Sequence, residues 1–232
     1  MKEEDIFGDN PDIFCEALLE RGFYPENVPP VFVVQNFYKL AKSHISNEKY
    51  QSNKPTEPVV YSSSKRGGSR RVFSVPNPSF YLDCAIFFSK YRSEIYEHYA
   101  ATEDSISIPS FSKTERPARI KSHSEFHRAR RYLFATSRYI VRTDISRYFH
   151  SIYTHSIPWA INGKTEAKKD RKSESETVFG NRLDYITRQA QDGQTVGIPV
   201  GPDFSRYTSE LIGKAIDKKF RESHGDQPLY LR

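Results

Sequence analysis

Apolar residues recur at helical spacing in the first third of the chain and at strand spacing near residue 60. Asn10, Pro11 and the run DIFCEALLERG predict a capped helix, with Asn10 at the N-cap, Pro11 in the first turn and Gly22 just past the end. Its apolar stripe is Ile13, Phe14, Ala17 and Leu18. Pro25, Pro29 and Pro30 break the chain before a second apolar segment, VFVVQNFYKLAK, and polar residues 43–58 predict a linker. VVYSSS and RRVFSV are β-prone arms around Lys65-Arg66-Gly67-Gly68, the pattern of a hairpin. A long aromatic-rich helix is expected over 79–99, another near 124–135, and a strand over 137–145 from the β-branched run at Tyr139-Ile140-Val141. NGKTEAKKDRKSESET (162–177) reads as an exposed loop, and Leu183 and Ile186 mark a further helix. Pro202 opens the last helix, with Phe204, Leu211, Ala215 and Ile216 on its apolar side and Asp217 facing water. Long helices on a small antiparallel sheet define an α+β fold. The expected division is a helical extension and linker over 1–58, then one unit over 59–232.

Composition narrows the class. Only 37% of residues are hydrophobic, but 16 Phe and 15 Tyr supply bulky groups for a core or for stacking. No apolar run approaches the ~18 residues that cross a bilayer, so no membrane partner is expected. The start, MKEEDIFGDN, is acidic where a secretory signal is basic and then apolar, and the expected location is cytoplasmic. Cys15 and Cys84 are too few and too far apart to suggest a disulfide framework or a zinc cluster.

The net charge of +6 is unevenly spread. Residues 1–30 carry −6 and the remainder +12. Between Lys113 and Arg147 lie ten Lys or Arg against Glu115, Glu125 and Asp144, interleaved with Phe111, Phe126, Tyr132, Phe134 and Tyr139. A phosphate backbone suits such a stripe, because neutralising phosphates releases counterions while aromatics stack bases. A solvated helix face over a core of aromatics fits the same pattern. Arg128, Arg130 and Arg131 are the candidate nucleic-acid contacts.

Three short motifs carry candidate chemistry. YIVRTDISRYF puts one acid, Asp144, at the end of a predicted buried strand, where it is costly unless it meets a metal or a cation. Capping of a helix from Ile145 is the other reading. In KRGGSRRVFSVPNP a glycine-tipped hairpin carries Lys65, Arg70 and Arg71, cations suited to phosphates or to a solvated turn. In GIPVGP, Gly197 and Gly201 permit close approach or positive φ, and Pro199 and Pro202 stiffen the turn.

In this order the motifs resemble the fingers and palm of a reverse transcriptase. SIYTHSIPWAINGK and DGQTVGIPVGPDFSR are similar to bacterial enzymes of the abortive-infection and retron-related, phage-defence kind. The resemblance runs from about Val59 to the end, and less specifically includes LLERGFYPENVPPVF. It implies a right-hand polymerase fold of fingers and partial palm, with RNA-templated DNA synthesis from dNTPs on an RNA template and DNA primer (or single-stranded nucleic acid). Two Mg²⁺ (or Mn²⁺) ions roughly 3.5–4 Å apart would carry the transfer. It implies Asp144 and the Ile145 carbonyl on metal, Tyr148 at the sugar, and Lys65 and Arg71 on the triphosphate, with Arg70 able to exchange with Arg71. Gly197, Pro199 and Gly201 would line the nascent pair. The family's Gln before the first glycine is here Val196, with Gln194 displaced by two.

The family's Tyr-x-Asp-Asp strand is expected after the last helix, yet these 232 residues hold no Asp-Asp pair. The expectation is therefore a chain truncated before that motif, without a thumb and inactive alone. A homo-oligomer or a missing C-terminal half would complete it. Asp217 and Asp226 are the weak substitutes for the second carboxylate. The alternative is a non-catalytic nucleic-acid-binding fragment or regulatory remnant.

Overall fold

The computed structural model describes the chain except residues 1, 30, 46–53, 66, 102–103 and 226–230. Arg66 of the hairpin tip, Asp226 and much of the expected linker lie outside the described residues. The elements run α1 (Glu3–Phe7), α2 (Pro11–Arg21), α3 (Phe37–Ile45), β1 (Val59–Ser64), β2 (Arg70–Val75), α4 (Pro78–Lys90) and α5 (Arg92–Ala100). They continue as α6 (His123–Thr136), α7 (Tyr148–Ser151), α8 (Ser156–Asn162), α9 (Lys164–Lys169), α10 (Gly180–Gln189) and α11 (Asp203–His224). Among the described residues the helices are accompanied by a single antiparallel pair, β1–β2, half of whose residues are exposed, and the α+β class holds.

The caps act as their sequences dictate. Asn10 accepts hydrogen bonds from the Asp12 and Ile13 amides, and Gly22 follows the last turn of α2. Phe14, Ala17 and Leu18 of the expected stripe are buried, with Cys15 and Leu19 beside them, whereas Ile13 is exposed. The single long helix expected over 79–99 is two, because Tyr91 leaves helical geometry (φ −102°, ψ 23°) between α4 and α5. The 162–177 excursion contains α9, with Ala167 buried.

One core joins the N-terminal helices to α4, α5, α10 and α11. Tyr207 stacks on Phe7 and meets Phe14 edge-on, and Phe88 lies 5.5 Å away. Burying an aromatic of this size stabilises by about 1.5–3 kcal/mol, provided that its polar end finds a partner. Here each does. The Tyr81 hydroxyl donates to the Leu18 carbonyl, Tyr99 to Tyr207, and Tyr207 to the carbonyls of Ile6 and Pro117.

Two expectations fail. Residues 137–145 form no strand: they run through bends and coil, with Tyr139, Val141 and Ile145 exposed at 80%, 88% and 52%. β-Propensity needs a neighbouring strand to complete the ladder, and neither β1 nor β2 pairs with this segment. On α11 the expected register is reversed at one turn, since Ile216 is exposed and Asp217 fully buried. The Arg232 guanidinium explains the reversal. It bonds both Asp217 (2.8 Å) and Glu210 (2.8 Å), and it lies against Gly213, where a Cβ would fall 2.4 Å from it.

Candidate nucleotide-binding cavity

The hairpin is built to hold its cations in place. At its tip the Lys65 amide donates to the Ser69 carbonyl (2.7 Å), and Gly67 and Gly68 take the positive φ that the turn demands. Arg70 spends its guanidinium across the hairpin, donating to the hydroxyls of Ser62 and Ser64 and to the Ser62 carbonyl. Arg71 instead lies over the Phe73 ring, 5.3 Å from its centroid. Of the two arginines, Arg70 is thus the one committed to hydrogen bonds within the hairpin.

The glycine–proline turn connects this hairpin to α7. Val200 accepts from the Ser74 amide of β2 (2.9 Å). Gly197 donates to the Ile152 carbonyl (2.7 Å) and Ile198 to the Phe149 carbonyl (2.9 Å). Gln191 steadies the turn from α10 through the Gly197 carbonyl (2.8 Å). Val196, standing where the resembled family has Gln, is exposed and bridges Tyr153. Gly201 sits at φ 120°, and a Cβ there would fall 2.5 Å from Pro25 of the N-terminal segment. Gly201→Ala is therefore expected to destabilise the fold by about 1–3 kcal/mol and to loosen the turn, read as a lower melting temperature.

Between hairpin, turn and α7 lies a cavity of about 550 Å³. Lys65, Arg70, Arg71 and Val72 form one wall, Arg147, Tyr148, Phe149 and His150 the other, and Val200 joins them. Among the described residues no carboxylate lines it. Tyr148 donates its hydroxyl to the Ser209 carbonyl (2.8 Å), which turns its polar end away into α11. Burial pushes that phenol up to about 12, so it stays neutral. Phe149 is half-buried, packs against the core and lines the cavity beside Tyr148. Three motifs distant in sequence thus meet. Arg147, His150 and Gln191 are additions that the motifs did not single out; the only local signal was an Arg and a His three residues apart around the aromatic pair.

Asp144 behaves differently. It lies in the exposed segment before α7, and its carboxylate makes no hydrogen bond or ion pair among the described residues. Among those residues no group of three or more His, Cys, Asp or Glu could hold a metal ion. The buried acids Glu210 and Asp217 are both bonded by the one guanidinium of Arg232. The residues described do not fit a two-metal centre at Asp144 and Ile145.

The basic stripe divides. Arg116 is half-buried, its guanidinium paired with fully buried Asp203 and donating to the carbonyls of Gly22, Tyr24 and Gly201. Lys113 pairs with Asp9. By contrast α6 buries no residue: Arg128 and Arg131 are exposed, and Arg130 lies 3.9 Å from the Phe126 ring. No helix among the described residues is long and apolar enough to cross a membrane. No protein-family model matches the chain, and no curated protein matches it.

Proposed function

We propose that this chain carries the nucleotide-binding portion of an RNA-directed DNA polymerase, with a dNTP in the cavity and nucleic acid along α6. The observation that supports the reading is the convergence of the hairpin cations, Tyr148 and the 197–201 turn on one acid-free cavity. Lys65 and Arg71 offer charge-assisted hydrogen bonds to the phosphates, while the Tyr148 and Phe149 rings offer apolar surface to the sugar and base. Antiphage defence follows only from the motif resemblance. Because the carboxylates of the transfer step are not assembled, we expect the 232-residue chain to bind dNTPs without incorporating them. The experiment pairs dNTP binding with primer extension on an RNA template in Mg²⁺ or Mn²⁺, wild type beside Asp144→Ala. Asp144-dependent incorporation would show that another acid or a second subunit completes the site. Loss of the binding itself would overturn the proposal.

A second reading, a non-catalytic nucleic-acid-binding module, is favoured by α6, whose basic and aromatic side chains pack against nothing that buries them. Both readings predict binding to single-stranded RNA or DNA, with log affinity falling by about 0.7 per phosphate contact per log unit of salt. Arg128→Glu, Arg130→Glu and Arg131→Glu together should flatten that slope by about two. A salt-independent affinity, or a slope unchanged by the triple variant, would remove α6 from the interface.

A further inference from the structure

The α7 wall of the cavity carries charge that the hairpin wall does not explain. Arg147 holds a left-handed backbone (φ 53°, ψ 42°), unusual for a residue with a side chain. The conformation is fixed from below: its carbonyl accepts from the amides of His150 (2.9 Å) and Ser151 (3.1 Å). The Gly197 turn sits against the same residues, with the His150 carbonyl 3.4 Å from where a Gly197 Cβ would stand. The guanidinium so placed makes no hydrogen bond or ion pair among the described residues, and it lines the cavity with Lys65, Arg70 and Arg71. These cations are solvent-exposed, so water screens their mutual repulsion, but with no carboxylate beside them among the described residues they give the cavity a net positive potential that attracts anions. A single phosphate satisfies one wall, whereas a phosphate chain satisfies both.

We propose that Arg147 and His150 form a second phosphate-binding wall, opposite the hairpin, which makes the cavity selective for nucleoside triphosphates over mono- and diphosphates. This rests on the reading that the cavity takes a nucleotide. His150 adds a proton to the grip. Its ring is exposed on one side, and partial burial, then the Arg147 charge, shift its pKa downward. The charge that acts on it is Arg147, just before its own helix; Tyr148, and Lys65, Arg70 and Arg71 of the hairpin, line the same cavity, and the 197–201 turn brings no titratable side chain. Incoming phosphates reverse that balance and favour the imidazolium. Triphosphate binding then takes up a proton, and affinity rises as pH falls from about 8 to about 6.

The test is calorimetric titration of the full chain with dAMP, dADP, dATP and inorganic tripolyphosphate. Wild type should bind dATP more tightly than dADP, and dADP more tightly than dAMP. Arg147→Gln should weaken dATP by about ten- to a hundredfold, the loss of one or two charge-assisted bonds, and leave dAMP unchanged. Arg147→Gly, which suits the left-handed backbone, should show the same loss and so separate charge from folding. His150→Gln should remove the pH dependence that exceeds the titration of the phosphates themselves. Arg147 variants that bind dATP like wild type, or lose dAMP and dATP alike, would overturn the second wall while leaving the nucleotide cavity standing. Tripolyphosphate binding as tight as dATP would keep the wall and overturn the nucleotide reading, and no binding of any of the four would overturn both.

Discussion

Arg116→Met lowers stability by about 3–5 kcal/mol, a drop of roughly 6–20 °C in melting temperature for a chain of this size. Asp203 is fully buried, and burial raises its pKa even with Arg116 and Arg206 nearby, so desolvation outweighs attraction there. Such a pair adds little net stability, but losing the cation strands a carboxylate without its main partner. The Ala118 amide still bonds it, at 3.1 Å, and that cannot replace a fork-shaped guanidinium. Asp203→Asn should cost less, because Arg116 keeps its carbonyl partners at Gly22, Tyr24 and Gly201 and is partly solvated. The pH dependence has a definite sign. With the folded pKa of Asp203 raised, the native state holds the extra proton, and stability falls as pH rises from the unfolded value through the folded one. The Arg116→Met deficit should therefore shrink on acidification. Thermal melts of both variants across that range check it; equal losses, or a deficit that grows in acid, would contradict this account of the pair.

Lys65→Ala combined with Arg71→Ala should weaken dNTP binding by about a hundred- to ten-thousandfold, since each cation contributes about 1.5–3 kcal/mol to a phosphate contact. Arg70→Ala should weaken it by less than about tenfold, because that guanidinium is committed to Ser62 and Ser64. Circular dichroism would show whether the hairpin loses order when that brace is removed. Equal effects at 70 and 71 would mean that the cavity senses only net charge and that no particular arginine grips the ligand.

The parts legible in the sequence are those whose causes are local. Asn10, Pro11 and Gly22 delimit α2 because capping needs only neighbouring backbone. Val59 to Val75 fold as a hairpin because two glycines supply the turn and two β-prone arms supply each other's partners. Residues 137–145 have the same propensity and no partner, so the same local reading fails there. Asp217, expected to face water, is buried for another reason, and the same reason draws Arg116 out of the basic stripe. A charged residue goes inside when a distant opposite charge meets it, and Asp203 and Arg232 lie 87 and 15 residues away. Within the cavity, motif order brought out Lys65, Arg71, Tyr148 and the turn. Arg147 and His150 emerged only when α7 was seen to face the hairpin.

The central claim, a nucleotide in the cavity between the hairpin and α7, is tested most directly by photocrosslinking an azido-dATP to the full chain and mapping the labelled peptides. The account predicts label on the peptides carrying Tyr148–His150 or Val200, lost on addition of unmodified dATP and absent from the Lys65→Ala, Arg71→Ala variant. Label confined to α6, or label that dATP does not displace, would contradict it.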